Sequence, residues 1–169
     1  CQVTSTLYNV ALLANLEIVE RLSHFRPPSY VPIGLDATVA NGLIDFKFKN
    51  NKNHALYIVT QISNDTLSIY LLGNKEDLST EKINIISEID AVLEPTTLIT
   101  QDPTLPLGTE IIDFPGAQGY KVSAYKITSV DGIVTSKFLL HNDVFEPEEK
   151  TIRVGTQPIP PPIAVSKPK

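Results

Sequence analysis

The apolar residues of the first fifteen positions recur at the spacing of an amphipathic helix. Four of them fall on one helical face: Leu7, Val10, Ala11 and Ala14. Thr4 or Ser5 can cap the beginning of this helix, and Asn15 can end it in the left-handed conformation that closes many helices. The pattern predicts a single N-terminal helix.

After this helix the apolar residues change to the period of two that is typical of β-strands. Residues 43–49, for example, alternate between apolar and charged side chains. Asn64-Asp65 and Asp131-Gly132 separate apolar runs in the way that two-residue hairpin turns do. Strands are predicted at residues 16–21, 43–49, 55–63, 66–72, 82–89, 91–94, 110–114, 120–129, 133–141 and 151–154.

The order of these elements predicts an α+β first module, with one N-terminal helix on a mainly antiparallel sheet, and a small all-β second module. A polar stretch from residue 73 to 81 ends the first module, which gives predicted boundaries of 1–80 and 82–156. Residues 157–169 contain five prolines and few core-forming side chains. This last part is predicted to be an extended, Pro-rich tail.

The charge of the chain excludes some classes of partner. It carries 14 basic and 19 acidic residues, a formal net charge of -5, and no cluster of Lys or Arg. A nucleic-acid partner is therefore not expected, because binding phosphates needs a basic face. No apolar run is long enough to cross a bilayer, so membrane contact is expected only through a segment absent from this chain.

No cofactor or metal site is expected from the residue spacing. The three histidines are scattered and do not have the spacing of zinc ligands. One acidic stretch surrounds Pro147 and consists of Asp143, Glu146, Glu148 and Glu149. These carboxylates can hold calcium weakly, but a solvated loop is the preferred interpretation.

The first half of the chain resembles the VanW family. The resemblance is carried by residues 1–9 (CQVTSTLYN), 16–21 (LEIVER), His24 and 29–39 (SYVPIGLDATV), in this order and spacing. The family normally has a glycine-rich turn directly before the cysteine. The resemblance therefore implies that this chain begins inside that module, at the start of its central helix.

The second half resembles a G-five domain, a small all-β module of bacterial surface proteins. The matching residues are mostly turns and strand ends: residues 103–108 (PTLPLG), Gly116, Gly119, the Asp131-Gly132 turn and residues 153–156 (RVGT). Together the two resemblances imply an extracytoplasmic location in Gram-positive bacteria, association with the cell wall, and a link to glycopeptide (vancomycin) resistance. The implied partner is peptidoglycan or another cell-wall polymer.

Cys1, the only cysteine, is the residue with the most suggestive chemistry. A thiol at a helix N-terminus is activated by the helix dipole and by free backbone N–H groups, which also provide an oxyanion site. Cysteine hydrolases add a histidine base and a carboxylate that orients it, which predicts the catalytic set Cys1, His24 and Asp36. The alternatives are a buried apolar Cys1 and a surface His24, or a Cys1 that marks a cleavage boundary or a lipidated terminus.

Two functions remain open at this point. The first is a noncatalytic envelope module that binds the wall or assists assembly. The second is a thiol-dependent hydrolase or transpeptidase-like enzyme that acts on peptide bonds of the cell wall, with Cys1 as nucleophile.

Overall fold

The computed structural model describes residues 1–158, and the Pro-rich tail predicted at 157–169 lies outside them apart from Gln157 and Pro158. The described part contains one α-helix and ten strands. Their bounds are α1 Gln2–Leu13, β1 Glu17–Glu20, β2 Lys47–Lys49, β3 Tyr57–Ser63, β4 Thr66–Leu72, β5 Lys82–Leu93, β6 Thr97–Pro106, β7 Glu110–Phe114, β8 Gly119–Val130, β9 Ile133–Phe145 and β10 Lys150–Gln157. The predicted fold class, one N-terminal helix with mostly β structure in two modules, is confirmed.

Helix α1 begins at its N-cap residue Cys1, three or four positions before the predicted cap, and ends at Leu13. Asn15 follows the helix with φ of 55°, and two backbone bonds close the end, from Asn15 N–H to Leu12 and from Leu16 N–H to Ala11. This arrangement satisfies carbonyl groups that the helix itself leaves unpaired. Asn15 therefore adopts the left-handed conformation that the sequence predicted for it.

The chain forms two compact units, one of Cys1–Val92 with Tyr120–Glu146 and one of Leu93–Gly119 with the segment from Pro147 onward. The first unit holds α1, the antiparallel pair β1–β2, the hairpin β3–β4, and a sheet in the order β5-β8-β9. Both hairpin turns have the positive φ values that type I′ turns need, at Asn64, Asp65, Asp131 and Gly132.

The core of the first unit is built on α1. Tyr8, Leu12 and Ala37 are buried together, and the side chains packed against them are Ile18, Phe46, Ile85 and Leu140. Ile85 and Leu140 come from β5 and β9, beyond the boundary predicted at residues 80–82. The boundary itself stays a prediction. The core of the first unit contains residues from both sides of it.

The second unit is all β. Its sheet has the order β6-β10-β7, with β10 parallel to β6 and antiparallel to β7. The central strand passes so close to β6 that a Cβ on Gly155 would lie 2.1 Å from the carbonyl oxygen of Pro106. Glycine is therefore required at this position by the close approach of two backbones.

Candidate functional site

The start of α1 holds the predicted nucleophile. Cys1 is exposed, and its carbonyl accepts the first helical bond from Ser5 N–H at 2.8 Å. The thiol lies 3.4 Å from Thr38 Oγ1 and donates to the carbonyl oxygen of Val39 at 3.7 Å. Cys1 is thus not the buried apolar residue of the alternative interpretation.

The segment that carries Asp36 is attached to α1 by polar side chains. Ser5 Oγ donates to the Ala37 carbonyl at 3.1 Å and accepts from Ala37 N–H at 3.0 Å. Asn9 Nδ2 donates to the Leu35 carbonyl at 2.7 Å. These bonds hold the backbone of the residues on either side of Asp36 against α1.

His24 and Asp36 lie together, as their order in the sequence suggested. His24 Nδ1 is 2.6 Å from Asp36 Oδ2, and the same oxygen accepts from the backbone N–H of His24 at 2.7 Å. Asp36 is completely buried, so its carboxylate orients the imidazole without competition from solvent. His24 Nε2 points away from the aspartate and lies 3.3 Å from the Tyr30 hydroxyl.

The structure brings together two of the three predicted site residues. In the part of the chain that is described, the thiol of Cys1 has hydrogen bonds with Thr38 and Val39, and none with His24. A Cys–His pair ready for proton transfer is therefore not formed in this conformation. The catalytic role of Cys1, His24 and Asp36 stays a prediction.

Arg21 is the residue that connects Asp36 to the rest of the unit. Its guanidinium donates from Nε to the Asp36 carbonyl at 2.7 Å and from Nη2 to Asp36 Oδ1 at 3.2 Å. Nη1 donates to Asp143 Oδ1, on β9, at 2.6 Å. All three side chains are buried, which makes the pair of aspartates and its single cation a desolvated network.

Tyr8 and His141 complete the network. Tyr8 Oη and His141 Nε2 are 2.8 Å apart, and the guanidinium carbon of Arg21 lies 5.4 Å from the centre of the Tyr8 ring. Burial raises the pKa of Tyr8 to about 12, although Arg21 opposes the shift, so the phenol stays protonated at neutral pH.

Asp143 stays charged in spite of its burial. Burial alone would raise the pKa of Asp143, but the contacts with His141 and Arg21 outweigh it and hold the pKa below its usual value. The Oδ2 atom makes no hydrogen bond and lies 3.5 Å from His141 Nδ1. The interpretation of the acidic stretch as a solvated loop is therefore wrong for Asp143, which is a buried residue of a strand.

A pocket of about 400 Å³ opens beside this network. It is lined by residues 18–23 and 140–143, with Tyr8 and Leu12 of α1 also contributing. In residues 1–158 no group of three or more His, Cys, Asp or Glu side chains has the arrangement of a metal site. No helix in that part of the chain has the length and apolar character to cross a membrane.

Sequence reasoning did not identify Arg21, Asp143, Tyr8 or His141 as members of one cluster. Tyr8 had a local signal, because it lies one helical turn before Leu12 on the buried face of α1. Arg21 and Asp143 are 122 positions apart in the sequence, and no local pattern relates them.

Comparison with known families gives two matches. Residues 1–72 match the family described as VanW like protein, and residues 86–157 match the G5 domain family.

The curated proteins that match parts of the chain include the following two. The uncharacterized protein YoaR of Bacillus subtilis (strain 168) is 52% identical over 58 residues, which are 34% of this chain and 19% of YoaR. The resuscitation-promoting factor RpfB of Mycolicibacterium smegmatis is 32% identical over 73 residues, which are 41% of this chain and 20% of RpfB. The chain thus spans about a fifth of the length of these relatives.

Two solved structures are also similar to part of the chain. The structure described as HP0197-G5 shares 32% identity and covers 44% of this chain and 95% of its own length, with a TM-score of 0.29. The IgA1 protease G5 domain shares 22% identity and covers 46% of this chain and 93% of its own length, with a TM-score of 0.34. With both families matched in the order that the motifs predicted, the chain is a VanW-like segment followed by a G5 domain.

Proposed function

We propose that this chain is part of an extracytoplasmic protein associated with the cell wall, in which the VanW-like segment and the G5 domain bind wall polymer or assist assembly. The observation that carries the proposal is the presence of these two segments in succession on one chain. The partial match to a resuscitation-promoting factor supports the same setting. The proposed partner is peptidoglycan or another wall polymer, and the link to vancomycin resistance stays a prediction.

The charge of the chain sets the conditions for a test. Because the formal net charge is -5, nonspecific attraction to anionic wall polymers is not expected to cause retention. Retention at physiological salt, where attraction between exposed charges is screened beyond about 8 Å, would therefore report specific contacts.

The experiment is sedimentation of the whole chain with purified, insoluble peptidoglycan at 0.15 M salt. The whole chain is needed because a cut at residue 81 would divide the core of the first unit. We expect saturable retention that soluble peptidoglycan fragments compete away. Retention no greater than that of an unrelated protein of similar acidic charge would contradict wall binding.

A second candidate function is favoured by the pair His24–Asp36. A fully buried carboxylate holds the Nδ1 side of the imidazole, so Nε2, which contacts the Tyr30 hydroxyl at 3.3 Å, is the nitrogen that can act as a general base, as in cysteine hydrolases. Cys1 stands at the beginning of α1, where backbone N–H groups are free. We propose as the alternative a thiol-dependent hydrolase or transpeptidase-like enzyme acting on wall peptide bonds.

The alternative is tested by the rate at which iodoacetamide alkylates Cys1 as pH is varied. If His24 activates the thiol, half-maximal reactivity should fall well below the value of about 8.5 for a free cysteine, and His24→Gln should restore that value. His54→Gln is the matched control, because His54 Nδ1 also contacts an aspartate, Asp77, at 3.1 Å. A thiol that titrates like free cysteine in all three proteins would exclude this function.

A further inference from the structure

The pocket beside Arg21 is lined by the end of β1, by the residues that follow it, and by the last part of β9. Successive side chains of a strand point to opposite faces, so a pocket on one face of a sheet is lined by every second residue. Here the lining includes the consecutive residues 18–20 of β1, the residues 21–23 that follow this strand, and the consecutive residues 140–143 of β9. Uninterrupted runs of this kind indicate that the backbone edges themselves border the pocket.

Both strands are outermost in their sheets. Within residues 1–158, β1 pairs only with β2, and β9 pairs only with β8 in the order β5-β8-β9. In the described part of the chain, no backbone hydrogen bond joins residues 18–23 to residues 140–143. Edges of this kind present N–H and C=O groups that a further strand can use. Beyond β1, the Leu22 carbonyl is already paired, because it accepts from Thr38 N–H at 2.9 Å.

The charges around the pocket favour a positively charged ligand. Arg21 is offset by Asp36 and Asp143, and Glu20 is paired with the exposed Lys47. Among the Asp, Glu, Arg and Lys side chains, these three carboxylates and two cations leave one negative charge. The carboxylate of Glu20 is partly open to solvent and lines the pocket, so a basic group can reach it.

The apolar part of the pocket fits an aliphatic chain. Leu12, Ile18 and Leu140 line it together with the polar residues, and Val19, 59% exposed, stands at its rim. A lysine-like side chain has an aliphatic stem that covers apolar surface while its ammonium stays near a carboxylate. An extended peptide with such a side chain matches both the strand edges and the charge.

We propose that this pocket binds an extended peptide that carries a basic side chain and pairs through its backbone with the edge of β1 at residues 18–20 and the edge of β9 at residues 140–143. This is recognition by strand addition, in which main-chain hydrogen bonds provide affinity and neighbouring side chains provide selectivity. The inference does not depend on wall association, since the peptide and the wall polymer are tested separately.

The probe is the acetylated and amidated peptide Thr-Val-Lys-Val-Thr, added to the whole chain at neutral pH. We expect slower amide hydrogen exchange within residues 18–20 and 140–143. The same peptide N-methylated at alternate residues lacks the donors that a strand needs and should give no protection. A peptide with Glu in place of Lys should bind more weakly.

Two variants distinguish peptide binding at the pocket from binding elsewhere on the surface. Val19→Lys places a positive charge at the rim and should weaken the lysine peptide on the order of tenfold, as a repulsion between partly screened charges predicts. Val134→Lys is the matched control, a valine of similar exposure on β9 that does not line the pocket. Equal affinities for the two variants, or equal binding of the N-methylated peptide, would overturn the proposal.

Discussion

Arg21 in the first unit and Arg153 in the second each bind two aspartates, but the two networks differ in their exposure to solvent. Arg21 joins Asp36 and Asp143, and its side chain is 7% exposed. Arg153 donates from two nitrogens to Asp113 and from the third to Asp102, and its side chain is 40% exposed. The Arg153 network therefore has the better bidentate geometry, whereas the Arg21 network is less exposed to solvent.

This difference determines what each network contributes. Removing one partner of a buried pair leaves an uncompensated charge without water, whereas exposed charges are solvated whether paired or not. The cost of breaking a network should therefore follow burial rather than the number of hydrogen bonds. The predictions below test this statement, beginning with the largest effect.

Arg21→Met should destabilise the first unit most. It leaves the buried carboxylates of Asp36 and Asp143 without their common cation, which costs about 3–5 kcal/mol for a buried pair. The measurement is the free energy of unfolding from amide hydrogen exchange in β8 and β9 as urea is added. A loss below about 1 kcal/mol, within the range of exposed pairs, would show that burial does not decide the cost.

Asp36→Asn should cost less, about 1–3 kcal/mol, because a neutral amide keeps one acceptor for His24 or Arg21 but leaves another buried donor unsatisfied. Hydrogen exchange in the first unit again provides the measurement. The same variant should increase the mobility of the His24 ring in NMR relaxation, since Asp36 Oδ2 holds it. An unchanged ring with unchanged stability would contradict the orienting role given to Asp36.

The pH dependence of the first unit should contain a contribution from Asp143. The pKa of Asp143 in the folded protein is below the ordinary value of 3.8, so its contribution to stability is fully present above that value and is lost as pH falls through the folded pKa. Acid unfolding of Asp143→Asn should therefore be less steep below about pH 4 than that of the unaltered chain. Parallel acid-unfolding curves for the two proteins would contradict a contribution of Asp143 to the pH dependence of stability.

Local chemistry made much of the fold predictable from the sequence. Asn15 and the dipeptides Asn64-Asp65 and Asp131-Gly132 adopt the positive φ values that their residue types favour. Strand β6 was not predicted, because Pro103 and Pro106 argue against a strand. It is tolerated as the edge strand of its sheet, where a missing N–H donor need not break a ladder.

The site was predictable only where its residues are close in sequence. His24 and Asp36 are twelve positions apart, and their types in this order already suggested a base with its orienting carboxylate. Asp143 comes to Arg21 only when β9 packs beside the first segment, which requires the folding of a long-range sheet. Hydrophobic periodicity cannot identify such a partner, since it reports which face of a strand is buried and not what lies against it.

Arg153→Met should have the smallest effect of these variants. Asp102 and Asp113 regain water when the guanidinium is removed, so unfolding monitored in β7 and β10 should change little. Salt provides the sharper test: at 1 M ionic strength the screening length falls to about 3 Å, and any remaining difference between Arg153→Met and the unaltered chain should disappear. The effect of Arg21→Met should persist at that salt, because buried pairs are screened much less than exposed ones. If salt removed both effects equally, both networks would behave as surface ion pairs. The burial of Arg21 would then add nothing to the free energy of unfolding.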